Sequence, residues 1–286
     1  VLVNVAITTR DVPVADVTFR LLESGPIDAP TILWLHGSGP GANGQTNWEW
    51  QLGELGDEFH NLAPDLVGFG ESTHPNPPPQ GIKAFTELRA RTLIALLDEL
   101  DIDTVTLVGN SMGGIVSLVL TQLAPERVER LVLMGGGGAP IGLTPELLKL
   151  ITFYDDPTTE AMAELLTCFV NDPSFFGDDL DEIAASRMPL ASRPDVERSH
   201  RATFSPGEPL AFTPDALATI TQPTLVVHGE GDRLIPIAAG EYFAQHLPNV
   251  RFERFADTGH WLMIEQPQRF ADLLRRKVGP VGDRVV

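Results

Sequence analysis

Short apolar runs recur along the chain, separated by stretches of helical spacing and by turns rich in Gly, Pro and Asp. Thr31-Ile-Leu-Trp-Leu35, Val105-Thr-Leu-Val108, Arg130-Leu-Val-Leu-Met134 and Thr224-Leu-Val-Val-His228 carry apolar residues without alternation. Strands buried on both faces of a parallel sheet read this way. His60-Asn-Leu-Ala-Pro-Asp65 and Val250-Arg-Phe-Glu-Arg-Phe255 read as two more strands, and residues 1–25 as a pair around a turn at Asp11-Val-Pro13. Between them, Phe85–Leu100 places Leu88, Leu93, Leu96, Leu97 and Leu100 at helical spacing, and Ile115–Leu120 continues directly from a strand. The rhythm changes from Ala139 to Ala211. No strong strand occurs there, and Pro145–Ile151 and Thr159–Val170 are spaced as helices. The pattern predicts an α/β protein with a mostly parallel central sheet, helices on both faces and a helical lid inserted above the carboxyl ends of the strands. The expected division is residues 1–138 and 212–286 for the core and 139–211 for the lid.

The candidate chemistry sits at the ends of these strands. Gly109-Asn-Ser-Met-Gly-Gly114 follows a strand and opens a helix. A serine in Gly-x-Ser-x-Gly at such a junction stands on a sharp, strained turn with its hydroxyl clear of the sheet, which makes Ser111 the candidate nucleophile. A hydroxyl needs a base, and the base needs an orienting acid. Asp232 lies in the loop Gly229-Glu-Gly-Asp-Arg-Leu-Ile-Pro236, and His260 lies in Ala256-Asp-Thr-Gly-His-Trp261. Three reactive residue types thus occupy three loops after strands, in the order Ser, acid, His, and such loops converge on one rim of a parallel sheet. Asp257 is the nearest rival acid but lies too close to His260 along the chain to reach round it. Glu230 is the other.

Oxyanion donors are expected from the backbone N–H of Met112 and from Ser38 and Gly39, in the loop His36-Gly-Ser-Gly-Pro-Gly-Ala42 after the strand at 31–35. His36 reads as a structural histidine of that loop. Gly37-Ser-Gly-Pro-Gly-Ala42 also matches G-x-G-x-x-A, a dinucleotide-binding pattern. That pattern needs an acidic residue closing a second strand about 20 residues on. Asp57 precedes a strand instead of closing one, and the dinucleotide reading fails there.

Composition narrows the class further. The 286 residues suit one large α/β domain with an insertion. The formal net charge of −19 disfavours nucleic acid and anionic membrane as partners. It also means that an anionic substrate needs a local positive group, because the overall field repels it. No apolar run approaches the ~20 residues of a membrane helix. The start, Val1-Leu-Val-Asn-Val-Ala-Ile-Thr-Thr9, alternates like a strand and lacks the basic and small-residue features of a signal peptide. The single cysteine, Cys168, excludes an internal disulfide, reads as a buried small hydrophobe and is compatible with a reducing cytoplasm. The seven histidines show no zinc-ligand spacing, so a zinc site is not expected. Pro75–Pro79 reads as a stiff surface loop.

Taken together, His36–Ala42, Ala63-Pro-Asp-Leu-Val-Gly-Phe-Gly-Glu-Ser72, Gly109–Gly114, Phe169-Val-Asn-Asp-Pro173 and Gly259-His-Trp261 carry a resemblance over nearly the whole chain. The protein resembles the α/β-hydrolase superfamily and, within it, the meta-cleavage-product hydrolases. These break a carbon–carbon bond in vinylogous 1,5-diketones formed by ring opening of catechols. The resemblance implies a small-molecule substrate, no cofactor, and dimers or higher homo-oligomers. It places Arg187 on the substrate carboxylate, a role that suits a planar guanidinium. Asn47, Asn110 and Trp261 match positions at the dienolate head, and Phe169, Leu234 and Ile235 match positions around the leaving acyl substituent. Family members usually follow the lid arginine with an aromatic residue and an acid, whereas here Met188-Pro-Leu190 follows. The enzyme rival on the same fold is a carboxylesterase or lactonase, which needs neither Arg187 nor Asn110. The non-enzyme rival is a ligand receptor built on the same scaffold.

Overall fold

The computed structural model describes residues 5–278. Eight strands form one sheet: β1 (Thr8–Val14), β2 (Val17–Ser24), β3 (Thr31–Leu35), β4 (His60–Pro64), β5 (Val105–Asn110), β6 (Val128–Met134), β7 (Thr224–Gly229) and β8 (Val250–Phe255), in the spatial order β1-β2-β4-β3-β5-β6-β7-β8. β1 and β2 pair antiparallel, as do β2 and β4, and every pair from β4 to β8 is parallel. The central strands β4, β5 and β7 are buried along their whole length. The edge strand β8 instead exposes Arg251 and Arg254, charges that discourage pairing with another sheet.

The hairpin turn falls at Ala15-Asp16, not at Asp11-Val-Pro13 as the sequence suggested. Ala15 takes φ 49°, and Pro13 lies inside β1 opposite Thr18. A proline is tolerated there because β1 is an edge strand with one face of its backbone unpaired. Of the strand-like start Val1–Thr9, residues 1–4 lie outside the described residues, 5–7 are not strand, and Thr8 and Thr9 open β1.

Helices α1 (Gly44–Glu54), α2 (Ile82–Glu99) and α3 (Met112–Leu123) link the first strands, and α9 (Ala238–His246), α10 (Leu262–Glu265) and α11 (Pro267–Val278) close the chain. Between β6 and β7 run α4 (Pro145–Ile151), α5 (Thr159–Cys168), α6 (Leu180–Ala191), α7 (Pro194–Thr203) and α8 (Pro214–Ala218), with no strand. The hydrophobic pattern does not show α1. It starts at a capping box between Asn43 and Thr46, and its buried face carries Asn47, Trp48 and Gln51 in place of an aliphatic stripe. Among the described residues no helix is long and apolar enough to cross a membrane.

The topology places the site. From β3 the chain goes to β4 on one side and then to β5 on the other. The loops leaving β3 and β5 therefore diverge, and a crevice opens between them beyond the carboxyl ends of the strands.

Candidate active site

Ser111 stands where β5 turns into α3, with φ 55° and ψ −112°, a strained conformation for a residue with a Cβ. The strain is held on all sides. The Ser111 N–H donates to Met134 O at 3.0 Å, and its carbonyl accepts from Gly114 and Gly137 at 3.1 and 3.2 Å. The turn is so tight that a Cβ at Gly113 would come within 2.1 Å of Leu35 O, and one at Gly109 within 2.4 Å of Gly113 O. Only glycine fits at either place.

Asp232 and His260 meet. His260 Nδ1–H donates to Asp232 Oδ2 at 2.7 Å, and both side chains are almost fully buried. The other carboxylate oxygen accepts the N–H groups of Leu234 and Ile235 at 3.0 and 2.9 Å. Burial by itself pushes the Asp232 carboxyl up. The charge and hydrogen bonds of His260 and of His228 override it and hold the group at about 2. Asp232 is therefore ionised at neutral pH and fixes the tautomer that leaves His260 Nε2 as the basic atom. That Nε2 is buried and has no hydrogen-bond partner, so the Ser111–His260 hydrogen bond is not closed in this structure. Hydrogen bonds of this kind are often long without substrate. The rival acids Asp257 and Glu230 are both exposed.

Two residues that sequence reasoning passed over brace this pair. His228 is fully buried at the end of β7. It donates through Nε2 to Ile235 O at 2.7 Å and lies 3.3 Å from Asp232 Oδ2. Its place four residues before the acid, at a strand end, was the available signal. Glu265 accepts from Gly259 N at 2.7 Å and Asn171 N at 2.9 Å, tying the His260 loop to the chain that follows α5. Nothing local in the sequence marked it.

The loop after β3 is built for backbone presentation. His36 is buried, donates through Nδ1 to Gly37 O at 2.7 Å and accepts Leu66 N–H at Nε2 at 2.9 Å. Burial drives its pKa down to about 4, so it is neutral and structural. Gly37 lies against Ser111, where an added Cβ would sit 3.2 Å from that of the serine. Ser38 and Met112 both border the same cavity as Ser111.

Asp65 fixes this side of the crevice. Its carboxylate accepts Gly44 N at the start of α1 and Glu71 N, both at 2.8 Å. Burial raises its pKa from 3.8 to about 6. The folded value exceeds the unfolded one, so ionisation costs the folded state stability, and that stability is lost as pH rises from below 4 through about 6. Between about pH 5 and about pH 7.5 the wild type should lose about 1 kcal/mol relative to Asp65→Asn, read from urea midpoints at the two pH values.

Two lobes open from the crevice. The larger, about 290 Å³, is bordered by Ser111 and by apolar side chains such as Ile115, Leu147, Leu150, Phe204 and Ile235. The smaller is a tight slot of about 10 Å³ among Asn47, Phe169, Arg187 and Trp261. Ser38 borders both. Trp261 stacks on Phe169 at 4.2 Å, and the Arg187 guanidinium lies 5.1 Å from the Trp261 ring. Burial alone lowers Arg187 to about 10, and no carboxylate contributes. Met188-Pro-Leu190 fits into the last turn of α6 and leaves Arg187 facing the slot.

The remaining residues fall in different places. Asn110 borders neither lobe: it accepts from Asn47 Nδ2 at 3.3 Å and donates to Met134 O at 3.2 Å. Its contact is with Asn47, which does border the slot. Of the three residues expected around the acyl substituent, Ile235 borders the large lobe. Phe169 borders the slot instead, because its ring is drawn onto Trp261. Leu234 is buried behind the cavity, where its N–H holds Asp232. Among the described residues no cluster of three or more ligating side chains could hold a metal.

A strained serine elbow at the switch point of this sheet, opposite an Asp–His pair, is the architecture of an α/β hydrolase, and the model of the alpha/beta hydrolase family matches residues 32–273. A 2-hydroxymuconate semialdehyde hydrolase from a Pseudomonas species is 33% identical, with 93% of this chain and 92% of that protein covered. The crystal structure of 2-hydroxy-6-oxo-6-phenylhexa-2,4-dienoate hydrolase from a Rhodococcus species superposes with a TM-score of 0.91 at 33% identity, over 96% of this chain and 99% of the other. A serine hydrolase from the polyaromatic-hydrocarbon-degrading Cycloclasticus zankles gives a TM-score of 0.92 at 37% identity, over 97% and 100%. The chain belongs to the α/β-hydrolase family, in its meta-cleavage-product hydrolase branch.

Proposed function

We propose that the protein hydrolyses the carbon–carbon bond of a 2-hydroxy-6-oxohexa-2,4-dienoate, giving a 2-hydroxypenta-2,4-dienoate and a carboxylic acid. The observation that carries this reading is a pair of unlike spaces that meet at Ser38. One is a narrow slot onto which Asn47 and the Arg187 guanidinium open, with no carboxylate acting on that arginine among the described residues, and the other is an apolar chamber bordered by Ser111. A plain esterase needs the second but not the first.

In this reading the carboxylate and oxo end points toward the slot, which opens to admit it, with Arg187 on the carboxylate and Asn47 beside the oxo group. The dienol ketonises there, which turns the departing carbon into a stabilised carbanion equivalent. His260, steadied by Asp232, takes the proton of Ser111 Oγ as the oxygen attacks the distal ketone. The new oxyanion is met by the N–H groups of Met112 and of Ser38 or Gly39. The carbon–carbon bond breaks with its electron pair going to the dienoate fragment, which takes the proton from His260. Water then cleaves the acyl-serine by the same base. The helices α4 to α7, within the lid expected at residues 139–211, keep bulk water out.

The chamber also speaks to the substituent. Among the described residues its only charged border residue, Glu208, is exposed and paired with Lys83 at 2.6 Å, and no lysine or arginine borders the cavity. A second carboxylate on the acyl side would be buried without a partner, at a cost of several kcal/mol. The protein should therefore prefer an uncharged, bulky substituent. Loss of dienolate absorbance is the assay. The expected kcat/KM for the 6-phenyl substrate exceeds that for 2-hydroxy-6-oxonona-2,4-dienedioate by about a hundredfold or more. A preference for the dicarboxylate would overturn the substituent, and turnover of neither compound would overturn the reaction.

A further inference from the structure

Arg89 is the largest buried charge outside the two lobes. It lies on α2, 1% exposed, and its hydrogen-bond and ring contacts among the described residues are to neutral groups. Nε donates to Val67 O at 2.9 Å, Nη1 to Met112 Sδ at 3.0 Å and Nη2 to Thr203 Oγ1 at 3.1 Å. Phe85 and Phe69 hold its guanidinium at 4.2 and 4.7 Å from their ring centres. Burial lowers its pKa to about 9 with no carboxylate contributing, so the group stays charged at neutral pH.

Burying a charge without a counter-ion is expensive, and a packed apolar side chain of similar volume is often as stable or more so. Packing alone therefore gives no reason for an arginine here. Its contacts do. Met112 supplies the backbone N–H expected to receive the oxyanion, and Arg89 holds the side chain of that residue from behind. Through Thr203 it also holds the end of α7, and both Met112 and Thr203 border the large lobe. The reaction starts with no oxyanion and passes through one. A fixed, buried cation behind the donor favours the charged state over the starting state.

We propose that Arg89 is a positioning residue for the oxyanion site: it sets Met112 and keeps a permanent positive charge behind the point where negative charge develops. The inference rests on Ser111 being the nucleophile. It assigns a functional role to an arginine that touches neither the substrate nor either partner of the Asp232–His260 pair.

Arg89→Met removes the charge and keeps an unbranched chain of similar length, and Arg89→Lys keeps the charge. In Arg89→Met, kcat should fall at least tenfold on both the dienoate and a nitrophenyl ester, because the oxyanion is common to both. KM should move by less than about threefold. Affinity for phenylboronic acid, which forms a tetrahedral anion on the serine, should fall with kcat, while affinity for benzoate stays. Arg89→Lys should recover most of the loss. A folded Arg89→Met with wild-type kcat and boronate affinity overturns the proposal. So does an Arg89→Lys as slow as Arg89→Met, which would make the loss one of packing. If Arg89→Met does not fold, Arg89→Lys decides: boronate affinity within about threefold of wild type is expected, and a loss of tenfold or more overturns it. Ser111→Ala assayed in parallel separates the two readings. Activity in Ser111→Ala removes the nucleophile itself, whereas an inactive Ser111→Ala beside an unimpaired Arg89→Met removes only the role of Arg89.

Discussion

Ser111→Ala should lower kcat on a 6-phenyl dienoate by about ten-thousandfold or more, with KM changed by less than about threefold. The size follows from what the variant leaves behind. The backbone donors at Met112 and in the Ser38–Gly39 loop, the two lobes and the Asp232–His260 pair all remain, but no atom can form the acyl intermediate. Residues that act as one unit give nearly the full loss when any one is removed. The split between kcat and KM follows from the fold. In the proposed binding mode the substrate ends are held by side chains of the slot and the chamber other than Ser111. Stability should change little, because alanine keeps the Cβ, and the strain at φ 55° is held by backbone bonds to Met134, Gly114 and Gly137. Stopped-flow absorbance gives the rate, and circular dichroism confirms the fold. A variant retaining more than about a hundredth of the wild-type kcat would show that Ser111 is not the nucleophile.

How far this arrangement was legible depended on whether local sequence or distant packing set each part. β3 and β8 were read to the residue, since a run of apolar side chains bounded by turn formers leaves little choice of state. The serine elbow was legible because two glycines and a serine at fixed spacing are forced by sterics at one turn. The pairing of Asp232 with His260 was legible as order along the chain, since strand ends converge. Other features were closed to this kind of reading. α1 hides behind polar buried residues, as Asn47 and Gln51 face inward to bond Asn110 and Met263 O. The inward turn of Phe169 depends on Trp261, a residue far along the chain. The roles of Arg89 and Glu265 come from partners distant along the chain, and that of His228 from a shared carboxylate. Periodicity carries which face is buried, but not what a buried polar group touches.

Arg187 offers the sharper discrimination between reactions. Arg187→Met should reduce kcat/KM on dienoates by about a hundredfold to a thousandfold and leave a nitrophenyl ester within about threefold of wild type. The guanidinium faces the slot beside Trp261, and among the described residues no carboxylate contributes to its environment, so its charge is available to a ligand. A bidentate bond between guanidinium and carboxylate in a closed site is worth several kcal/mol when one partner is removed, which sets the scale of the loss. The protein's net charge of −19 adds to it, because an anionic substrate approaches against the overall field and depends on this local cation. A nitrophenyl ester has no carboxylate to present. It reaches Ser111 through the apolar chamber alone, so its rate reports the intact nucleophile, base and oxyanion donors. Methionine keeps the length of the side chain and removes a partly desolvated charge, so the fold should tolerate it. Equal losses on the two substrates would place Arg187 in the framework of α6 and not on the carboxylate. A loss confined to the dienoate, carried mainly in KM, would mean that the arginine holds the substrate equally before and during reaction. If the loss lies mainly in kcat, its grip tightens as the dienol ketonises, and the slot takes part in the chemistry as well as in binding.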